Sequence, residues 1–216
     1  MPLITGVMQD YLKAIYHLQQ DRSSVSTSDV AKRLGVSPAS ATNMIKRLAE
    51  RRLLAYTRYH GFVLTPAGQR IALETIRHHR LLELYLARHL GVSLDQVDKE
   101  ADRLEHALSD EVEARIAATL GDPVRDPHGD PIPSKNGTVR AVRYPNLTEL
   151  PPGEVGVVDH VSDRLPEVLQ RLVSLGILPD VTVRVLARLP GDRLRVSVGG
   201  KERAVPRDLA EAVHVR

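Results

Sequence analysis

The stretch Ser26–Glu50, with the sequence STSDVAKRLGVSPASATNMIKRLAE, decides the fold of the N-terminal region. A hydroxyl residue at positions 26–28 suits the N-cap of a first short helix, and Gly35 suits its C-terminal end. Ser37 suits the N-cap of a second helix, with Pro38 at the first helical position. Two helices joined by so tight a turn predict a helix-turn-helix.

The residues on either side of this stretch predict a winged form of the motif. Apolar residues at helical spacing predict a helix over residues 8–20. Residues 54–68, LAYTRYHGFVLTPAG, predict two short strands around His60-Gly61, which form a small β-wing. Between Val30 and Leu64 the chain has seven Lys or Arg residues and one acid, a net charge of +6 that suits a polyanion.

The second helix of a helix-turn-helix enters the DNA major groove, where its early residues face base edges. Small residues begin this helix and suit contacts with bases, and the basic residues that follow suit phosphates, which fix register without reading sequence. The predicted DNA contacts are Ser37, Pro38, Ala39, Ser40, Thr42, Asn43, Lys46, Arg47 and Arg58. The alternative is a helical hairpin whose basic face is solvated or contacts another protein.

The rest of the chain divides into a helical region and a small β region. Further helices are predicted over residues 66–89, 94–98 and 100–120. The segment 121–152 is rich in Pro and Gly and indicates a linker. After a short helix at about 165–175, alternation of apolar and polar residues predicts a mostly β barrel of about 70 residues.

The composition restricts the cellular location and the kinds of metal site that can be expected. There are no cysteines, which excludes disulfides and thiolate metal sites and favours a reducing, cytoplasmic location. The sequence contains no run of about 18 apolar residues, so no membrane span is predicted, and the N-terminus lacks the pattern of a secretory signal.

An acidic region follows the basic one. Residues 95–113 contain eight acids and two bases, a net charge of −6 that a divalent cation would offset. Asp102, Glu105 and His106 stand at i, i+3 and i+4, so a continuous helix would present them on one face. Two carboxylates and an imidazole suit Mn²⁺ or Fe²⁺.

A second carboxylate and imidazole pair precedes this region. His79 and Glu83 stand at i and i+4 within HHRLLE, again on one face of a predicted helix. Two such sets on neighbouring helices favour metal binding. The alternative is a solvated acidic face with incidental histidines.

Four motifs together carry a resemblance to a known family. DYLKAIY, HHRLLE, EHALSDEVE and DPHGDPIP, in this order, are similar to motifs of the diphtheria-toxin-repressor family of metal-dependent transcriptional regulators, including its manganese-responsive branch. The resemblance covers nearly the whole chain and implies a mostly α fold with a small β domain. The implied parts are a winged helix-turn-helix (1–65), a helical metal-binding and dimerisation domain (66–121), a Pro-rich linker (122–147) and an SH3-like, FeoA-like domain (148–216).

The resemblance implies two metal positions per subunit. The ligands of the first carry over onto Asp10, Asp102, Glu105 and His106. Where the iron-responsive branch has Met and Cys, this chain has Asp10 and Asp102, and carboxylates in place of sulfur favour the manganese branch. Compact manganese regulators have a Glu where this chain has Lys13, which argues against their close binuclear arrangement.

The second position carries over onto His79, Glu83 and Asp98, the last in place of a family histidine. The barrel domain of the iron branch adds ligands there. The matching places in this chain, near 165 and 168, hold no ligand residue, although Glu167 lies between them.

The resemblance implies a homodimeric repressor that binds a palindromic operator with Mn²⁺ or Fe²⁺ as corepressor. Asp10 belongs to the predicted first helix and the other ligands to the predicted dimerisation region, so a metal that joins them would order the DNA-binding module. The alternatives are a metal-independent DNA-binding protein and, with weaker support, a metallohydrolase with Glu105 as general base. No HExxH motif, nucleophile elbow or phosphate loop supports an enzyme.

Overall fold

The protein folds into two compact units. The computed structural model describes residues 4–21, 25–57, 61–139, 142–162 and 165–216. The first unit contains the chain up to His79 with two returning segments, and the second contains the remainder. The returning segments are Leu104–Ser109 and Pro133–Thr138.

The first unit is a winged helix-turn-helix, as the sequence predicts. Its elements are α1 (Gly6–Asp21), α2 (Thr27–Leu34), α3 (Pro38–Glu50), β1 (Leu54–Thr57) and β2 (Gly61–Leu64), followed by the start of α4 (Pro66–Leu90). Strands β1 and β2 pair antiparallel, with Leu54 opposite Leu64.

Local signals set the boundaries of these elements. Ser26 caps α2 in a capping box with Asp29, and Gly35 ends α2 in the left-handed conformation at φ 65°. Ser37 caps α3, with Pro38 in its first turn. Gly61 also has a positive φ, and a side chain there would meet the carbonyl oxygen of Val25.

Aliphatic residues form the core of the first unit. Met8, Leu12 and Ile15 on α1 are fully buried against Leu48 of α3. Burying one such side chain contributes roughly 1.5–3 kcal/mol. This packing fixes α3 with its polar face turned away from the core.

Two predicted helices are wrong. In place of a continuous helix over 100–120, the chain forms α5 (Val97–Leu104), a 3₁₀ helix (Glu105–Ala107) and α6 (Asp110–Thr119). Leu108 has extended backbone, at φ −72° and ψ 121°. The new helix starts with Asp110 and Glu111, whose charges are favourable at a helix N-terminus. The separate short helix expected at 94–98 is also wrong, because helix begins only at Val97.

The second unit contains the rest of α4, most of α5, α6 and a five-stranded antiparallel sheet. The strands are β3 (Val155–Val161), β4 (Thr182–Leu189), β5 (Arg193–Val198), β6 (Lys201–Pro206) and β7 (Val213–Val215), in the order β6-β5-β4-β3-β7. Helices α7 (Pro166–Leu175) and α8 (Arg207–Glu211) complete this part. Valines and leucines that alternate along the strands form its core.

The segment between α6 and β3 has no helix or strand among its described residues, but part of it is firmly held. Arg125 Nη1 lies 2.8 Å from Asp159 Oδ1 of β3, and the backbone N–H of Val161 donates to the carbonyl of His128 at 2.9 Å. Gly129, at φ 94°, approaches β3 so closely that a Cβ would meet the carbonyl oxygen of Asp159. The loop that carries Asp126 and His128 therefore has a fixed position within the second unit.

Candidate metal centre and nucleic-acid interface

Helix α3 presents a continuous polar surface. Thr42 Oγ1 donates to the carbonyl of Pro38 at 2.8 Å, and the N–H of Ser40 donates to Ser37 Oγ at 3.1 Å. The buried side of the helix is formed by Ala41 and Leu48. The predicted contacts that are exposed are Ser37, Pro38, Ala39, Ser40, Thr42, Asn43, Lys46 and Arg47, while Arg58 lies outside the described residues.

The first unit brings three of the predicted metal ligands together. Asp10 on α1 and Glu105 and His106 on the 3₁₀ helix each offer a ligand atom, and these atoms lie within 4.8 Å of one another. His106 Nε2 is 2.8 Å from Asp10 Oδ1 and 3.5 Å from Glu105 Oε1. Glu105 is 1% exposed, which is rare for a carboxylate unless charged or polar groups surround it.

Two neighbours stabilise the Glu105 carboxylate. Lys13 Nζ donates to its two oxygens at 2.8 and 2.9 Å, and His79 Nδ1 donates to Oε2 at 2.6 Å. Burial acts to raise the pKa of Glu105, but the hydrogen bond from His79 and the charge of Lys13 outweigh it, so the pKa lies below its ordinary value. Glu105 is therefore ionised at neutral pH.

Asp10 has the opposite shift. Burial raises the pKa of Asp10 above its ordinary value, and the nearby charges of His106 and Lys13 offset this only in part. The two carboxylates also repel each other, which further disfavours the ionised form of Asp10. A cation bound next to Asp10 would favour its ionised form.

The fourth predicted ligand of the first position is Asp102. Asp102 is exposed on α5 and belongs to the second unit. Because Glu105 and His106 lie on a 3₁₀ helix, the prediction that they share one α-helical face with Asp102 is wrong. The 3₁₀ helix is held instead by His78, whose Nδ1 donates to the carbonyl of Glu105 at 3.3 Å.

A second cluster, which the sequence analysis did not assign, lies within the second unit. Glu83 of α4 and Asp126 and His128 of the loop are all buried, and their ligand atoms lie within 4.8 Å of one another. His128 Nδ1 is 3.5 Å from Glu83 Oε1. Three buried ligand groups that converge in this way make a second candidate metal centre.

Hydrogen bonds fix the orientations of Asp126 and His128. Asp126 Oδ1 accepts the backbone N–H groups of His128 and Asp130, each at 2.9 Å. His128 Nε2 donates to the carbonyl of Leu94 at 3.1 Å, so Nδ1 is the basic nitrogen of the neutral ring. Within the described part of the chain His128 Nδ1 has no hydrogen-bond partner.

The remaining residues of the predicted second position are His79, Asp98 and Glu167. His79 lies one helical turn before Glu83 on α4, but its Nδ1 contacts Glu105. Asp98 of α5 brings a carboxylate oxygen within 4.8 Å of Glu83. Glu167 is exposed in the first turn of α7. Asp126 and His128 lie in the motif DPHGDPIP, and an Asp and a His two residues apart are the only sequence signal for this pair, to which the sequence analysis assigns no metal role.

Three family models match consecutive parts of the chain. Residues 4–62 match the N-terminal DNA binding domain of iron dependent repressors, 65–134 their metal binding and dimerisation domain, and 146–216 the FeoA domain. The iron-dependent repressor IdeR of Mycobacterium leprae is 30% identical over 218 residues, 95% of this chain and 94% of that protein.

Manganese regulators are similar as well. The transcriptional regulator MntR of Geobacillus kaustophilus is 38% identical over 105 residues, 49% of this chain and 74% of that protein. A solved manganese-dependent transcriptional repressor in complex with manganese superposes with a TM-score of 0.87 at 40% identity, covering 96% of this chain and 98% of that one.

Proposed function

The chain belongs to the family of iron- and manganese-dependent transcriptional repressors, and we propose that it represses transcription by binding operator DNA in a manner that depends on Mn²⁺ or Fe²⁺. The observation that carries this proposal is the meeting of Asp10, Glu105 and His106 in the same unit as the exposed helix α3. Two of the named relatives are repressors and the third is a transcriptional regulator, which favours a regulator over the metallohydrolase alternative.

The DNA-binding part of the proposal rests on α3 and the charge around it. Residues 37–43 would face base edges, and Lys46 and Arg47 would contact phosphates. The match to a dimerisation domain supports a homodimer, and a two-fold dimer suits a palindromic operator with half-sites about 34–36 Å apart. We keep residues 66–121 as the proposed dimerisation domain and 122–147 as the proposed linker.

The first metal position would be held by Asp10, Glu105 and His106, and Asp102 remains a ligand predicted from the sequence. Two or three carboxylates and one imidazole, without sulfur, fit Mn²⁺ or Fe²⁺. The raised pKa of Asp10 and the buried Glu105 fit a site that needs added positive charge. A bound divalent cation supplies that charge and offsets the repulsion between the carboxylates.

The second metal position would be centred on Glu83, Asp126 and His128. Its support is their burial, their mutual distances and the basic Nδ1 of His128. Asp98 is a further oxygen ligand for this position, and His79 and Glu167 remain predictions from the sequence. Because Arg125 fixes the loop to Asp159 of β3, this position would stabilise the contact between the loop and the sheet.

Regulation would follow from the location of the first position. Asp10 is on α1, which packs against α3 through Leu12, Ile15 and Leu48. Neutralising the charge at Asp10 fixes α1 and the 3₁₀ helix relative to each other, and through the shared core it limits the motion of α3. Metal affinity and DNA affinity are then coupled, and the coupling is reciprocal.

Measurement of DNA binding across a metal series tests this function. Fluorescence anisotropy with an operator selected from random DNA should give binding with Mn²⁺ or Fe²⁺ and none with a chelator. His106→Ala should lose binding at metal concentrations that saturate the unmodified protein, and the matched control His89→Ala, at an exposed histidine outside both clusters, should not. Equal affinity with and without metal would indicate a metal-independent DNA-binding protein.

Among the described residues, no helix combines the length and apolar character that a membrane span requires.

A further inference from the structure

The imidazole of His106 rests on the first turns of α1. Gly6, Gln9 and Asp10 stand at i, i+3 and i+4, so they share one face of this helix. A Cβ on Gly6 would lie 2.9 Å from Cγ and Cδ2 of the His106 ring, closer than real side chains approach. The ring of His106 therefore packs directly against the backbone of Gly6, and a larger residue at position 6 would displace the ring.

Gln9 contacts the other ring nitrogen. His106 Nδ1 lies 2.8 Å from Gln9 Oε1, while Nε2 lies 2.8 Å from Asp10 Oδ1 and 3.5 Å from Glu105 Oε1. A neutral imidazole has one N–H and one basic nitrogen, and a hydrogen bond at one nitrogen decides which of the two can bind a metal. An Nδ1–H that donates to Gln9 leaves Nε2 as the ligand atom, directed at the two carboxylates.

We propose that Gln9 is the positioning residue of the first metal position: it fixes the tautomer and ring orientation of His106 so that Nε2 is the ligand, and Gly6 supplies the space that this orientation needs. The inference rests on the proposed function, since it assigns roles around the same site. Gln9 would not itself bind the metal. Its effect would act through His106 alone.

The neutral amide of Gln9 also affects the Mn²⁺ affinity of the first metal position. A carboxylate at position 9 would accept the same hydrogen bond as an anion, which makes the bond stronger and the ring more basic. Gln9→Glu is therefore expected to bind Mn²⁺ more tightly than the unmodified protein. Gln9→Met, which keeps the length of the side chain but accepts no comparable hydrogen bond, is expected to weaken Mn²⁺ binding by roughly 10–100-fold.

Two measurements on the full-length protein test the inference. The first is the Mn²⁺ affinity, from electron paramagnetic resonance of the free ion, for the unmodified protein, Gln9→Met, Gln9→Glu and Gly6→Ala. Gln20→Met, at an exposed position of α1, is the matched control and should bind as the unmodified protein does. The expected order of affinity is Gln9→Glu, unmodified protein, then Gln9→Met and Gly6→Ala.

The second measurement is nitrogen-15 NMR of the histidine rings in the Cd²⁺-loaded protein, where a protonated Nδ1 and a metal-bound Nε2 are expected for His106. The Nδ1–H signal should persist in Gln9→Glu and disappear into exchange with water in Gln9→Met. A role in packing alone would not produce this signature. If the unmodified protein binds Mn²⁺ but Gln9→Met binds equally well with its Nδ1–H signal intact, the role of Gln9 is refuted while the metal site stands. If the unmodified protein binds no Mn²⁺, the proposed function itself fails.

Discussion

Replacing Lys13 with methionine should change the stability and the metal affinity of the protein in opposite directions. The ammonium of Lys13 donates to both oxygens of Glu105, whose side chain is fully buried, while the Lys13 side chain is 19% exposed. Lys13→Met keeps an unbranched apolar side chain of similar length and removes the charge. Glu105 then retains the hydrogen bond from His79 Nδ1 at 2.6 Å.

The loss of stability in the metal-free protein can be bounded. Breaking a fully buried ion pair by removing one partner costs about 3–5 kcal/mol. Because Lys13 is partly exposed and His79 still donates to Glu105, we expect the free energy of unfolding to fall by about 2 kcal/mol. Denaturant unfolding in the presence of a chelator measures this difference.

The effect on the metal has the opposite sign. The ammonium repels a divalent cation that approaches the same carboxylate, and at a few ångströms in a partly solvated site this repulsion is about 1–2 kcal/mol. Lys13→Met should therefore bind Mn²⁺ about tenfold more tightly. Lys13→Arg keeps the charge and is the matched control, with small changes in both quantities. Weaker Mn²⁺ binding by Lys13→Met would contradict this prediction, because it would mean that Lys13 orients Glu105 for the metal.

Three further predictions concern the second position, the DNA contacts and pH. His128→Ala should lower the Mn²⁺ stoichiometry by one per subunit in equilibrium dialysis while His106→Ala leaves that position filled; an unchanged stoichiometry would remove His128 from the site. Lys46→Gln and Arg47→Gln should each reduce the slope of log K against log salt by about 0.9 per subunit, or about 1.8 for the dimer, and an unchanged slope would show that the residue makes no phosphate contact. In the metal-free protein, the lowered pKa of Glu105 means that its ionised form stabilises the fold above the ordinary carboxyl pKa, and this contribution is lost as pH falls through the lowered pKa. The raised pKa of Asp10 means that its ionised form destabilises the fold at neutral pH. Asp10→Asn should therefore raise the free energy of unfolding at neutral pH. Denaturation of Glu105→Gln and Asp10→Asn across acidic pH measures both trends, and a pH-independent difference would contradict them.

The helix-turn-helix was predictable because its determinants are local. The capping box of Ser26 and Asp29, the left-handed Gly35 and the Ser37-Pro38 start each act within a few residues, so the printed sequence contains all that is needed to place α2 and α3. The alternation along β4 and β5 is local in the same sense.

The metal sites were only partly predictable, because their ligands meet through the fold. His106 meets Asp10 across 96 positions of sequence, and the resemblance to a family, not the spacing, suggested that pair. The prediction of a continuous helix over 100–120 was wrong because no residue at the break is a helix breaker by type. Leu108, which has extended backbone, is common in helices, and the acidic residues at the start of α6 are the sequence signal for a new helix N-terminus. The contact between Glu83 and His128 depends on the path of the loop after α6, and no periodicity in the sequence predicts that path.

The Mn²⁺ affinity of the protein, measured with and without saturating operator DNA, shows directly whether the metal acts as corepressor. If the metal acts as corepressor, the DNA-bound protein binds Mn²⁺ more tightly, by the same factor by which Mn²⁺ strengthens operator binding, because the coupling free energy is shared. We expect a factor between about 5 and 150, the range of typical allosteric coupling. Mn²⁺ binding that is equally tight in the presence and absence of operator would contradict the account, since it would show a metal site with no influence on DNA.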